Sequence, residues 1–352
     1  MKMNFAFVAA GLVLGSCAPK QGVQDRVILA KKPPEKLSAY GLFADAGATI
    51  PSPRVTPYVL NTALFSDYAD KRRYVYVPQG QTISYKAEGA FEFPVGSVLV
   101  KTFEYPAKLG DAAAPVRTLE TRLLVRTRDG WEGRPYIWNK DGTEAILTPV
   151  GGPIPIDVRD ATDKLISISY RVPNQNQCKT CHLSGGALSP IGPKAANLNR
   201  DIEVGSEKMN QLAHWTQLGI LTGAPHPSSA PRNADFSNIS LSLEARSRSW
   251  LDINCGHCHK PDGSASNTGL YLTATTTDPS QLGIGRRPVS AGKGSGEDLF
   301  DVVPGHPEQS ILYHRIESTE PGVAMPELGR TLVHQEAVEV IRGWIAEMDD
   351  VK

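Results

Sequence analysis

Four of the five cysteines belong to two copies of one five-residue pattern, Cys-x-x-Cys-His. The first copy is 178–182 (CKTCH) and the second is 255–259 (CGHCH). On a helix, positions i, i+3 and i+4 share one face, so two thiols can bond the vinyl groups of a haem while the imidazole reaches its iron. The pattern is typical of c-type haem attachment and predicts two covalently bound haem c groups. The predicted thioether cysteines and proximal iron ligands are Cys178, Cys181, His182, Cys255, Cys258 and His259.

Other uses of paired cysteines fit the sequence less well. The two pairs are 77 positions apart, whereas a zinc ribbon separates its pairs by about 15 to 20 residues. A thioredoxin-like redox site needs one pair beside a strand and no histidine after each pair. Disulfides across two intervening residues would constrain little of the unfolded chain and would leave the histidines unexplained. Haem attachment therefore remains the preferred interpretation.

A methionine near the C-terminus is suited to the sixth position of the second haem iron. Met325 is followed by Pro326 and lies 66 positions after His259. Methionine opposite histidine is the arrangement that raises the potential of an electron-transfer haem. Met348 is the alternative, but it falls on the apolar stripe of a predicted terminal helix and is better explained as core. His306 and His314 are also in range and are interpreted as loop or surface residues.

The sixth ligand of the first haem is not fixed by the sequence. The candidates are Met209, His214 and His226, and a vacant position is a further alternative. A helix is predicted over 208–220, with Met209 on its apolar face and His214 on the opposite face. His226 stands between two prolines and is typical of a loop. We favour His214, and the choice matters because an open iron site binds small ligands.

The fifth cysteine and the residues before it predict where in the cell the protein is located. Residues 5–15 form an apolar run of 11 residues after one lysine, which is too short to span a bilayer and is typical of a cleavable signal. Gly15 and Ser16 lead into Cys17, which resembles the lipobox of bacterial lipoproteins. We expect a signal peptide over 1–16, lipidation at Cys17 and anchoring to the periplasmic face of a membrane. Ala18, rather than aspartate, favours the outer membrane of a Gram-negative cell.

Hydrophobic periodicity then divides the chain. Residues 17–56 are rich in Pro, Lys and Ala and are predicted to form a tether with few contacts. Residues 57–172 alternate with a period of two and predict an antiparallel β domain. Strands are expected at 74–77, 97–105, 119–127 and 165–169, with Asp-Gly hairpin turns at 129–130 and 141–142.

The remaining residues are predicted to form two mainly α-helical haem domains, over 173–240 and 241–352. Apolar stripes predict one helix that leads into Cys255 and another at the C-terminus. These two helices give the last domain the layout of class I cytochrome c. The expected fold class is therefore α+β multidomain, with an N-terminal antiparallel β domain followed by the two helical haem domains.

Several blocks resemble a bacterial family of dihaem c-type cytochrome lipoproteins, whose genes often neighbour one for a parallel β-helix protein. The similar blocks are 58–68 (YVLNTALFSDY), 93–103 (FPVGSVLVKTF), 176–182 (NQCKTCH), 191–200 (IGPKAANLNR), 211–215 (QLAHW), 252–259 (DINCGHCH), 303–312 (VPGHPEQSIL) and 325–330 (MPELGR). The resemblance covers about residues 57–348. It implies haem ligation by His182 and His259, ligation by Met325, and possible contact with the β-helix protein as a partner.

The composition limits the classes of function that fit the sequence. The chain of 352 residues has 37 Lys plus Arg and 37 Asp plus Glu, so its net charge of zero argues against nucleic acid as a partner. We expect a membrane-anchored dihaem cytochrome of the periplasm that carries single electrons between other redox proteins. The alternatives are a dihaem peroxidase with an open first haem and a module that docks a partner through the β domain. Electron transfer is favoured over enzymatic activity.

Overall fold

A computed structural model describes residues 22–111, 113–160 and 162–349. The expected signal peptide and Cys17 lie outside the described residues, so the structure does not bear on them. Within the described ranges, every helix is too short or too polar to cross a membrane.

The described chain contains fourteen strands and seven α-helices, and the first nine strands follow one another without an α-helix between them. The strands are β1 (Val55–Pro57), β2 (Asp70–Tyr76), β3 (Ile83–Ser84), β4 (Val98–Pro106), β5 (Val116–Thr127), β6 (Gly130–Trp138), β7 (Ala145–Leu147), β8 (Gly152–Arg159), β9 (Leu165–Val172), β10 (Leu183–Ser184), β11 (Ala187–Leu188), β12 (Asp201–Val204), β13 (Glu207–Asn210) and β14 (Leu221–Thr222). The helices are α1 (Asp25–Ile28), α2 (Gln175–His182), α3 (Ala195–Leu198), α4 (Gln211–Gln217), α5 (Leu243–Asn254), α6 (Ile311–Glu317) and α7 (Gln335–Ala346).

A six-stranded antiparallel sheet, in the order β1-β2-β4-β5-β6-β7, dominates the molecule. The four strands expected from the sequence are confirmed as parts of β2, β4, β5 and β9. The expected Asp-Gly turns are also confirmed, because β5 returns directly into β6 at Gly130 and Gly142 lies in the turn between β6 and β7. Strands β8 and β9 form a separate hairpin.

The segment before the sheet packs closely instead of acting as a loose tether. Ile28, Tyr40 and Leu42 are at most 1% exposed and join Tyr76 and Tyr136 in one core on a face of the sheet. The expectation of few contacts is wrong for these residues. The apolar side chains are sparse among prolines and lysines, but together they cover a sheet face that would otherwise be left in water.

The opposite face of the sheet shares a core with the segment around the first motif. Trp215 of α4 is fully buried and makes an edge-to-face contact with Tyr58, with ring centroids 5.8 Å apart. Strand β14 pairs with β3 in parallel, through Leu221 and Ile83. Residues on both sides of position 172 therefore contribute to one hydrophobic cluster.

The expectation of two mainly α-helical haem domains is wrong. The protein is 22% helical and 26% strand, and the large antiparallel sheet dominates it. Around the first motif, β12 and β13 form a hairpin that turns at Gly205, and α4 begins only at Gln211. The predicted helix over 208–220 starts later because 207–210 satisfies its backbone in that hairpin, which also holds Met209 opposite Ile202.

After the second motif the chain runs through turns and short 3-10 segments as far as α6. The apolar stripes predicted on the two long helices are confirmed, because Trp250 and Leu251 of α5 pack with Ile341 and Ile345 of α7. This helix pair forms one core with the irregular segment. Glycine and proline prevent that segment from forming the longer helices that a helical haem domain would need.

Candidate functional site

The first motif lies within α2. The helix starts with a capping box, in which the Asn174 side chain accepts from Gln177 N at 2.8 Å and Asn174 N donates to Gln177 Oε1 at 2.9 Å. These two reciprocal hydrogen bonds give partners to two backbone N–H groups that have none within the helix, and they fix where the helix begins. Cys178, Cys181 and His182 thus follow at helical spacing, as the sequence predicted.

The surroundings of His182 leave one ring nitrogen for a ligand. Its Nδ1 lies 2.8 Å from Ser189 O, and because a carbonyl only accepts, Nδ1 carries the proton and donates. Burial lowers the pKa of His182 to about 4, so the ring is neutral at pH 7. A neutral imidazole with Nδ1 bonded to a carbonyl presents Nε2 as a lone-pair donor, which is the state of an iron-ligating histidine.

The second motif follows a helix rather than lying on it. Helix α5 ends at Asn254, and Cys255 N still bonds Leu251 O at 2.8 Å. His259 N then bonds Cys255 O at 2.9 Å, which closes a single helical turn around the motif. Burial lowers the pKa of His259. One turn is enough to bring the two thiols and the imidazole to the same side.

The two motifs meet although their corresponding residues are 77 positions apart in sequence. The Sγ atoms of Cys181 and Cys258 and a ring nitrogen of His257 all lie within 4.8 Å of one another. The proximity of the two thiols lowers the pKa of Cys258 and raises that of Cys181. The cluster has the donor types of a soft metal site, but it offers three donors, and Cys178 and Cys255 are not among them.

Each motif borders its own cavity. Cys178 and His182 line the first cavity, which is closed on one side by β4, β5 and β6 of the large sheet. Cys255, Cys258 and His259 line the second, together with Arg286 and Arg315. Cys178 lies close to the sheet because β6 has a glycine there, and a Cβ on Gly133 would come 3.4 Å from Cys178 Sγ.

Met325 lines both cavities, and its backbone is held firmly. Met325 N donates to Arg315 O at 2.9 Å, and Arg330 donates to Met325 O through Nη2 at 2.8 Å. Asp67, in the loop before β2, accepts from Thr331 N at 2.6 Å and thereby ties this segment to the sheet. The predicted sulfur ligand is thus brought to the same site as the second motif.

The other predicted ligand candidates lie elsewhere. Met209 is in β13, His214 is a half-buried residue of α4, and His226 is exposed and caps a short 3-10 helix. Neither these three nor His306 and His314 are among the residues that line the cavities beside the motifs. Met348 packs against the core of the α5 and α7 helices, as predicted.

The structure adds side chains to the site that sequence reasoning missed. His257 lines both cavities, and His334 lines the first, where it stacks on Phe65 with ring centroids 4.3 Å apart. The first cavity also receives cationic side chains from the sheet, chiefly Arg73 and Lys101. Only the period-two alternation of β2 and β4 could have indicated these two, because it places each among inward apolar residues.

The donor set fits haem c. Each motif combines two unpaired thiols with an imidazole whose ring is neutral or has a lowered pKa, and each triad borders one of two adjoining cavities that share Cys181, His257 and Met325 in their lining. Comparisons of the chain with protein-family models, with curated proteins and with solved structures give no match. The function must therefore be argued from these residues.

Proposed function

We propose that the protein is a dihaem c-type cytochrome that carries single electrons between redox partners. The observation that carries the proposal is that each thiol pair and its histidine border one of two adjoining cavities, and that the two sets meet at Cys181 and Cys258. When bound, haem c supplies reversible one-electron chemistry at its iron. The polypeptide fixes the attachment points, the axial ligands and the charges around them.

The roles of the residues follow from their contacts. Cys178 and Cys181 would hold the first haem, and Cys255 and Cys258 the second. His182 is oriented by its bond to Ser189 O, which leaves Nε2 for the iron. Met325, positioned by Arg330, is the candidate that would raise the potential at the second motif. Because Cys181 and Cys258 adjoin, the two attachment points are close to each other.

The proposed location and partners rest on the sequence. We propose that Cys17 carries a lipid and anchors the protein at the periplasmic face of a membrane, where c-type haem attachment takes place. Partners would then be other redox proteins of the periplasm or the outer membrane, and a parallel β-helix protein through the family resemblance. A net charge of zero provides no long-range attraction to a strongly charged partner.

Two observations favour a second candidate function. The three sequence candidates for the sixth ligand at the first motif all lie away from its cavity. In addition, His334 of that cavity accepts a hydrogen bond at Nδ1 from Trp250 Nε1 at 2.9 Å. Its proton is then on Nε2, so neither ring nitrogen has a free lone pair for the iron. An iron without a sixth ligand binds small molecules, so a dihaem oxidoreductase that acts on peroxide is the alternative.

Mass spectrometry and absorption spectra test the proposal. The processed chain, expressed in a host that attaches c-type haem, should gain the mass of two haems and give the reduced spectrum of a c-type cytochrome. Zinc in place of haem, or no added mass, would overturn the proposal. Carbon monoxide separates the two functions, because an electron carrier with filled axial positions should not bind it, whereas an open first haem should bind it and turn over peroxide.

A further inference from the structure

The sheet face that borders the first cavity carries three cations in one line. Arg73 of β2 is directly opposite Lys101 of β4, and Lys101 is directly opposite Arg122 of β5. Residues opposite each other in antiparallel strands project from the same face, with Cβ atoms about 5 Å apart. All three side chains line the cavity that holds Cys178 and His182. We name Arg73, Lys101 and Arg122 the cationic row.

The row lies among buried apolar side chains, on a face that also carries Lys71 and Glu120, each opposite Phe103. Val75 and Leu99 lie on one side of the row and are at most 6% exposed, while Phe103 lies on the other side and is fully buried. Like charges directly opposite in a sheet destabilise it, and partial burial increases the cost of each charge. A face of this kind would be more stable with apolar residues at the three positions. The row therefore needs a counter-charge.

The described residues supply a counter-charge for only one member of the row. Glu120 binds Arg122 through two hydrogen bonds, one of them from Nε to Oε2 at 2.9 Å. Arg73 is 9% exposed and donates from Nη1 to Lys71 O at 3.2 Å, while its Nη2 is buried without a partner. Within the same described ranges, no carboxylate pairs with Lys101, whose Nζ lies 4.8 Å from the centroid of the Phe103 ring.

The unpaired donors face the cavity. Lys101 is enclosed by protein, and burial beside Arg73 lowers its pKa well below the usual range. It nevertheless keeps accessible surface, and that surface lies on the cavity wall. The same cavity wall includes Gly133, which borders Cys178. The unpartnered Arg73 guanidinium and the position of the row thus indicate an anionic ligand next to the first motif, and such a ligand would keep Lys101 protonated.

We propose that the cationic row is a binding site for a carboxylate or an oxyanion inside the first cavity. Two sources could provide this group. One is the pair of propionates on a haem held by Cys178 and Cys181, and this source rests on the proposed function. The other is a free oxyanion that enters the cavity, as a substrate of an open iron site would.

The main test replaces Lys101 in the haem-loaded protein. Lys101→Met removes the charge and keeps the length, Lys101→Arg restores the charge, and Arg117→Gln removes an exposed cation from the same strand as Arg122 as a control. With propionate in the row, Lys101→Met should lower the potential of the first haem by about 59 mV, a tenfold change for one electron. It should also lower the melting temperature, and Lys101→Arg should restore most of both.

A titration with inorganic phosphate distinguishes the two sources. If propionate fills the row, phosphate should bind only to a Cys178→Ala/Cys181→Ala variant, which lacks the first haem. If the ligand is free, phosphate should bind to the loaded wild-type protein and lose at least tenfold in affinity with Lys101→Met. Absence of haem from the wild-type protein refutes the proposed function alone, since the phosphate titration still tests the row.

One combined result overturns the anion site. Lys101→Met would then leave the first-haem potential unchanged, phosphate would bind neither protein, and the variant would melt at a higher temperature than the wild type. The rise would follow from relief of repulsion between buried cations that have no counter-charge. Arg117→Gln should alter none of these measurements, because its side chain lies outside the cavity.

Discussion

The two Cys-x-x-Cys-His motifs have the same pattern but different settings. The first is part of a capped helix that lies against the large sheet, with Cys178 next to Gly133 of β6. The second is a single turn after α5, in a region of turns and short helices. A five-residue pattern can therefore specify the attachment chemistry without specifying the support around it.

The charges around the two cavities differ in the same way. In the second cavity Arg286 pairs with Asp301 at 2.9 Å and Lys293 pairs with Glu320 at 3.1 Å, while Arg315 donates to Val323 O at 2.9 Å. In the first cavity, Arg73 and Lys101 lack such carboxylate partners within the described residues. Under the proposed function, we infer that charge would chiefly tune a haem at the first motif, whereas a haem at the second would depend chiefly on Met325.

The largest difference between the two motifs is expected in the melting temperature after each haem is removed. We expect Cys255→Ala/Cys258→Ala to remove one haem and lower the melting temperature by more than about 10 °C, because the irregular segment after the motif would lose the group it packs around. Cys178→Ala/Cys181→Ala should remove the other haem and cost about half as much, since the six-stranded sheet remains. Mass spectrometry and calorimetry measure both effects. Equal losses of stability would contradict the comparison.

Replacement of Met325 should separate the second site from the first. Met325→Ala should abolish the methionine-to-iron charge-transfer band and lower one of the two potentials by on the order of 100 mV, within the about 0.8 V that axial ligands span. Met348→Ala is the matched control, because it removes a partly buried methionine of the helical core and should lower stability while the band survives. A band that persists in Met325→Ala would assign the ligand role to another residue.

The sequence could predict the elements whose signal is local. Alternation marked β4 and β5, Asp-Gly marked the turn before β6, and apolar stripes marked α5 and α7. The prediction of helical haem domains was wrong because the region 183–210 contains two short hairpins, and β11 of the first hairpin also contacts β6 of the large sheet. The residues before Val55 were taken for a tether because their apolar side chains follow no period, and only the sheet face explains their burial.

The residues of the candidate site also fall into those that a local sequence pattern predicts and those that it does not. The thiols, the two histidines and Met325 carry signals of spacing and could be found without a fold. The cationic row could not, because Arg73, Lys101 and Arg122 are unremarkable until strand register aligns them. The contact between Cys181 and Cys258 likewise could not be predicted, because these residues are 77 positions apart in sequence. Strand register and long-range packing determine which of these residues come together, and a local sequence pattern predicts neither.

A change at Asp67 should test whether the two regions act as one unit. The Asp67 carboxylate accepts three hydrogen bonds, from Thr331 N, Thr331 Oγ1 and Leu332 N, at 2.6 to 2.9 Å. Asp67→Ala would leave two backbone donors without a partner, at a cost of about 3 to 4 kcal/mol in the free energy of unfolding. Asp141→Ala, at an exposed turn, is the control.

In calorimetry, Asp67→Ala should melt earlier and should weaken the Met325 charge-transfer band, because the affected segment continues from Met325. Unchanged melting would mean that the sheet and the second site unfold independently. In that case the two motifs would belong to two units that unfold independently, rather than to two parts of one cooperative unit.

The smallest effect should come from His334, which lies between the two regions and contacts Phe65 on one side and Trp250 on the other. Burial lowers its pKa from 6.5 to about 4, opposed by Glu336, so the folded protein keeps the ring neutral. As pH falls below 6.5 the unfolded chain takes up a proton that the folded protein does not, and stability declines until about pH 4, by at most about 3 kcal/mol. His334→Gln can still accept from Trp250 and should flatten this decline in urea titrations between pH 7 and 4. An unchanged slope would show that His334 is protonated normally and that the boundary between the two sites is open to water.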